Sequence, residues 1–206
     1  MLTKKEKLID GLFCSLVPSD IPIIQEHLGD VIVEPGCGSH AYLLKMLKGE
    51  RHGVDFNLSR SIPTDRNLHL HRMSFESFIQ IEDGIAIWNK ANSVLMSYPD
   101  TSGRIGEFVI KNMLPHQNLV LIAPRPYRNI TVAGTVEMWM SIFQEMSLVF
   151  KTPVGNVKVT DEHDPLFGVV SADMMYVLKL NESPRPDPNT KHSILNGHTL
   201  WELWDK

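Results

Sequence analysis

Between Val31 and Gly38 the chain reads Val-Ile-Val-Glu-Pro-Gly-Cys-Gly, a short apolar run that stops at two glycines one residue apart. The residues from Ala41 to Leu47 then carry apolar groups at helical spacing. Strand, glycine turn and helix in that order constrain the fold more than any other stretch. The run is too short and too apolar for a surface strand and reads as one buried on both faces. Glycine between a buried strand and a helix lets the backbone turn tightly and lets a ligand approach without meeting a Cβ. The helix that follows is expected to offer unpaired N–H groups, making a polar cradle at the carboxyl edge of a sheet. Gly-x-Gly alone is weak; its flanking strand and helix give it weight.

The rest of the chain repeats the alternation. Apolar spacing predicts helices at about 4–16, 21–28, 104–114 and 135–146, the last with Trp139, Met140, Phe143 and Met146 on one face. Further strands are expected at about 52–56, 67–73, 92–97, 119–123, 147–151 and 172–180. Strands alternating with helices imply an α/β fold with a mostly parallel sheet covered on both faces. The last two strands have only a polar loop between them, which implies an antiparallel end. The expected organisation is a helical cover over residues 1–29, a ligand-binding domain over 30–181, and a proline-rich linker with a tail over 182–206.

Bulk properties narrow the function classes. At 206 residues the chain can bury a sizeable core without disulfides. Two cysteines, Cys14 and Cys37, suit a reducing compartment better than a disulfide scaffold, so the cytoplasm is expected. The opening lacks the apolar run of a signal peptide, and no stretch approaches a membrane span, so no membrane partner is expected. A net charge of -4 and the lack of a lysine–arginine stripe argue against duplex nucleic acid as a partner.

Asp55 lies at the end of the second strand, 19 positions after Gly36. A carboxylate there can accept both hydroxyls of a ribose. The segment from Val31 to Gly38 resembles the first motif of class I S-adenosylmethionine (SAM) dependent methyltransferases, and the likeness extends strand by strand over roughly residues 30–180. The resemblance implies a Rossmann-like seven-stranded sheet, mostly parallel with an antiparallel terminal strand, and SAM as cofactor. It implies that Glu34, two positions before the first glycine, faces the methionine end of the cofactor, and that Asp55 binds the ribose. Gly36, Cys37 and Gly38 would form the loop around it, with Phe56 and Ser97 beside it. After the third strand the family commonly has an acid that binds the adenine amine. Here the stretch is Met73-Ser74-Phe75-Glu76, where Ser74 could hydrogen-bond the base and Phe75 could stack on it.

The loops after strands four, five and six are expected to converge over the methyl group. In the first, Ser97-Tyr98-Pro99-Asp100 offers Tyr98 and Asp100 to an acceptor, although Asp100 equally suits capping the next helix. It departs from the Asn/Asp/Ser-Pro-Pro-aromatic motif of amine and amide methylases in its second proline and final aromatic, so no such substrate follows. In the second, Arg125, Tyr127 and Arg128 could clamp a carboxylate or phosphate, or simply be solvated. In the third, His163 between carboxylates could act as a base, or the loop could be merely acidic. His69 and His71 alternate along one strand face and lack an adjacent third ligand, so no metal is expected. Trp201 and Trp204 form an apolar stripe with Leu200 and Leu203, suited to docking on the domain itself or to a homo-oligomer contact.

The expected function is methyl transfer from SAM to an unidentified acceptor, a small molecule rather than duplex nucleic acid. Two alternatives stand beside it. Gly36, Gly38 and Ala41 also satisfy the Gly-x-Gly-x-x-Gly/Ala fingerprint of an NAD(P) oxidoreductase, against which Glu34 would sit near a pyrophosphate. The weak fourth-strand motif also suits a catalytically inert SAM-fold binding module.

Overall fold

The structure is a computed structural model that describes residues 16–100, 104–124, 133–158 and 171–182. The expected first helix, the loop at 125–132 and the proline-rich tail with Trp201 and Trp204 lie outside them. Helix α1 (Asp20–Glu26) leads into β1 (Val31–Pro35), and α2 (Tyr42–Met46) joins β1 to β2 (Glu50–Val54). Then follow β3 (Leu68–His71), α3 (Phe75–Phe78), α4 (Glu82–Lys90) and β4 (Ser93–Ser97). The second half runs α5 (Ile105–Asn112), β5 (Asn118–Pro124), α6 (Val136–Glu145), β6 (Met146–Lys158) and β7 (Ser171–Leu180).

The seven strands form one sheet in the order β3-β2-β1-β4-β5-β7-β6. The first five are parallel, and β7 runs antiparallel to both β5 and β6. The last strand of the chain is thus the reversed one, and it lies one place in from the edge. This is the mostly parallel sheet with an antiparallel terminal strand that the resemblance implies. It departs from the dinucleotide-binding order, which runs 3-2-1-4-5-6 without a reversed insertion.

Alternation along each strand divides the core into two layers. Val31 and Val33 of β1, with Leu119, Leu121 and Ala123 of β5, face the layer built on Phe75, Phe78, Trp88, Val109, Ile110, Met138 and Trp139. Ile32, Val120 and Ile122 face the opposite layer, with Leu16, Ile24, Leu43 and Leu44. Each fully buried aliphatic side chain contributes about 1.5–3 kcal/mol relative to exposure, so both faces of the sheet are anchored. Asp20 fastens α1 to the far edge: its carboxylate accepts from the N–H groups of Val17 at 2.8 Å and Gly155 at 2.9 Å. The buried rings keep their N–H groups satisfied, Trp88 donating to the Asn112 carbonyl and Trp139 to that of Ala133.

Candidate functional site

The site is built where β1, β2 and β4 end. Gly36 and Gly38 have φ of 72° and 73°, the left-handed region in which a side chain strains the backbone. A Cβ at Gly38 would meet nothing within 4 Å, so the loop leaves open space there. The helix after the loop is shorter than expected. It starts at Tyr42 and spans one turn, behind a left-handed Ala41. The cradle is therefore formed by the loop itself. Gly36 donates to the Val54 carbonyl at 2.8 Å, which seats the turn on the end of β2.

Glu34 is 1% exposed, on the last turn of β1 before the loop. Its Oε1 accepts a 2.6 Å hydrogen bond from Ser97 Oγ at the end of β4. Its Oε2 is buried and has no hydrogen-bond partner among the described residues. Burial pushes the carboxyl up from 4.5 to about 7; the Ser97 bond opposes this and the negative charge of Asp55 adds to it. Such an orphaned acceptor costs free energy in the empty protein, so it fits a ligand that brings a donor to this point.

Asp55 follows β2 directly. Its Oδ2 accepts from the Gly38 N–H at 2.9 Å and its Oδ1 from the Asn57 N–H at 2.7 Å. The carboxylate thus holds the glycine loop in shape. Each oxygen has two lone pairs, so the same group retains capacity for ribose hydroxyls. Phe56, beside it, is 70% exposed, an unusual setting for a large ring. Cys37 packs into space that only glycine at position 53 leaves, since a Cβ there would lie 2.8 Å from its sulfur. Burial first, then Glu34 and Asp55, push the thiol well above its usual range, so it is a filler and no nucleophile.

One expectation beyond the third strand needs correction. Phe75 is 1% exposed and packs edge-on against Trp88 and Phe108, so its ring belongs to the core and offers no face for stacking on a base. Ser74 caps α3, its hydroxyl oxygen accepting from the Ser77 N–H at 3.2 Å. Its side chain is thus engaged in holding a short helix. The third-strand histidines are joined by His52 of β2, which stands in register with His69 and lies 3.2 Å from His71 between ring nitrogens. Burial lowers both His52 and His71, the latter to about 4, which favours the neutral form of these two rings. Among the described residues no group of three or more histidine, cysteine or acidic side chains is arranged to hold a metal ion.

After β4, Tyr98 adopts φ of 53°, rare for a residue with a side chain. Its hydroxyl donates to Asp173 Oδ1 at 3.1 Å. Asp173 is 4% exposed and opposes Pro124 on β5. Sequence reasoning missed it. The available signal was an acid at the opening of an apolar strand: because that strand is reversed, its start lies at the same edge as the other strands' ends. Asp100 does not cap the next helix, since α5 begins at Ile105 with Arg104 at the cap position. The Pro99 carbonyl accepts from the Gly134 N–H at 2.7 Å, tying the loop after β4 to the segment before α6. Arg125, Tyr127, Arg128 and His163 lie outside the described residues.

No protein-family model and no curated protein sequence matches the chain. Solved structures similar in outline include a tRNA methyltransferase from B. subtilis, 12% identical, covering 90% of this chain and 80% of its own, with a TM-score of 0.43. Magnesium protoporphyrin IX methyltransferase from Synechocystis, with bound SAM, is 10% identical over 78% of this chain and 76% of its own, with a TM-score of 0.42. Precorrin-6y C5,15-methyltransferase from Geobacter metallireducens is 13% identical over 86% and 94%, with a TM-score of 0.41. Likeness at this level leaves ligand and chemistry to be argued from this chain's own residues.

Proposed function

We propose that this chain binds SAM at the Gly36–Gly38 loop and transfers its methyl group to a small molecule or a flexible polymer end. The unpartnered, buried Oε2 of Glu34 beside that loop carries the reading. An ammonium group is the donor such a carboxylate suits, and SAM carries one at its methionine end. Asp55 suits the ribose, and the exposed ring of Phe56 suits a flat base. A pyrophosphate would meet Asp55 as a like charge and would bring no donor to the buried Glu34 oxygen, which weighs against a nicotinamide dinucleotide. The inserted β7 weighs the same way.

SAM, when bound, supplies a methyl group on a sulfonium that leaves readily. What the protein must add is alignment and exclusion of water. Ser97 holds Glu34 at one side of the crevice, and Tyr98, the next residue, is held by Asp173 at the other. Tyr98 and Asp100 are the candidates for orienting the acceptor, with Arg125, Tyr127, Arg128 and His163 from the later loops. We place the protein in a reducing cytoplasm, with a homo-oligomer through the Trp201–Trp204 tail as the proposed assembly. No helix among the described residues is long and apolar enough to cross a membrane.

Calorimetric titration with SAM, S-adenosylhomocysteine, NAD and NADP tests the reading. Heat with the first two alone supports it; heat with NAD or NADP alone overturns it. Binding without turnover of any acceptor would favour an inert module. Filter binding to duplex DNA and RNA at about 50 mM salt tests the small acceptor, because phosphate contacts are strongest at low ionic strength.

A further inference from the structure

Glu34 is set among groups that favour its neutral form. It is 1% exposed, and one oxygen is partnered only by a neutral hydroxyl, that of Ser97 on β4. The other oxygen has no hydrogen-bond partner among the described residues. The titratable groups facing it are Asp55, just beyond β2, and the thiol of Cys37 in the loop; neither brings positive charge. Among the described residues no lysine, arginine or histidine forms an ion pair with it. A buried carboxyl in such surroundings keeps its proton until a cation arrives.

We propose that ligand binding at the glycine loop is coupled to release of one proton from Glu34, so that occupancy of the site depends on pH. The inference rests on the SAM reading and adds a regulation to it. In the empty protein the proton resides on the carboxyl group. When a ligand presents an ammonium at Oε2, the O–H bond breaks, the proton passes to solvent, and the carboxylate oxygen accepts from the ammonium N–H. The binding equilibrium therefore contains a proton as a product. Affinity rises with pH until the empty site is itself ionised, then levels off. A ligand with the same nucleoside but no amino group has nothing to exchange for the proton.

Two ligands separate the outcomes: S-adenosylhomocysteine, which carries the ammonium, and 5′-methylthioadenosine, which lacks the amino-acid end. With the homocysteine compound, affinity should rise about tenfold from pH 6 to pH 8. Its binding enthalpy near pH 6 should vary with the ionisation enthalpy of the buffer, with a slope near one proton. Methylthioadenosine should bind with no buffer dependence, as should S-adenosylhomocysteine to Glu34→Gln. Carbon NMR of the wild-type carboxyl, assigned by Glu34→Gln, should titrate near neutrality without ligand. Pronounced binding with a flat pH profile and no proton release would overturn the coupling while leaving the SAM reading intact. A Glu34 titration at the ordinary glutamate value would overturn it too, with or without ligand. If neither adenosine compound binds at any pH, the SAM reading itself fails and the coupling falls with it.

Discussion

Glu34 and Arg51 occupy the same face of adjacent strands, and both are almost wholly buried, at 1% and 4% exposure. Their surroundings differ. Arg51 donates from Nη1 to the Leu44 and Leu47 carbonyls at 3.0 and 2.7 Å, and from Nε to that of Gly49 at 3.1 Å. Its Nη2 reaches both oxygens of Asp65 at 2.7 Å. The guanidinium thus closes the C-terminal end of α2, where helix carbonyls lack partners, and holds the Asp65 carboxyl below its usual range. Glu34 has one bond and one orphaned oxygen. Burial alone does not separate a structural charge from a binding one. The count of satisfied partners does: Arg51 is complete within the protein, and Glu34 is incomplete until something else arrives.

If the comparison holds, removing the two charges has opposite effects on stability. Arg51→Met removes the guanidinium from the Leu44, Leu47 and Gly49 carbonyls and leaves Asp65 without its cation, and should lower unfolding free energy by roughly 2–4 kcal/mol, read from urea denaturation. A loss under about 1 kcal/mol would mean that water replaces the guanidinium, and the contrast with Glu34 would fail.

Glu34→Gln should stabilise the ligand-free protein instead. The carboxyl is raised from 4.5 to about 7 in the folded state, so between those values the folded protein holds a proton that the unfolded chain has lost. Its stabilising effect is complete below about pH 4.5 and is lost as pH rises through 7. At pH 8 the variant should therefore be about 2–3 kcal/mol more stable than wild type, shrinking toward zero at pH 4. Denaturation curves at both pH values check the sign; equal stability at pH 8 would show that the orphaned oxygen costs nothing.

Asp55→Asn sharpens the comparison from the ligand side. The amide oxygen can still accept from Gly38, while the Asn57 N–H loses its acceptor and the charge proposed to meet the ribose is lost. Affinity for S-adenosylhomocysteine should fall roughly ten- to a hundred-fold by calorimetry, equivalent to about 1.5–3 kcal/mol. The smallest effect is expected at Gly38→Ala. The space is open, but φ of 73° places alanine in the left-handed region. A stability loss of about 1 kcal/mol is expected from strain alone, with ligand affinity changed only if the added methyl meets the ligand.

The sequence was most legible where pattern and chemistry agree. The apolar run before Gly36 and the short run before Asp55 are found as β1 and β2 with a left-handed glycine turn between β1 and α2, because a buried strand and such a turn leave few residue choices. Helix α4 escaped notice because the side facing the core carries the small Gly84 and Ala91 beside Ile87 and Trp88, while the apolar Ile81 and Ile85 are exposed, which blurs the stripe. Gly84 is required there: a Cβ would lie 1.8 Å from the Phe78 carbonyl. Phe75 was misread as a stacking ring because spacing alone cannot separate an aromatic in the core from one at a crevice. Asp173 was invisible because its place at the site depends on the reversal of β7, a property of the whole sheet.

That reversal also bears on how the chain is made. β5 can pair with β4 once both have been synthesised, but its other edge has no partner until β7, whose residues come roughly fifty positions later. Until then Leu119, Leu121 and their neighbours sit in a strand with one row of unsatisfied amide and carbonyl groups. An apolar strand held open in this way is a template for pairing with a neighbouring chain. A chain truncated before β7 would leave that edge of β5 open, and is expected to self-associate more readily than the full chain.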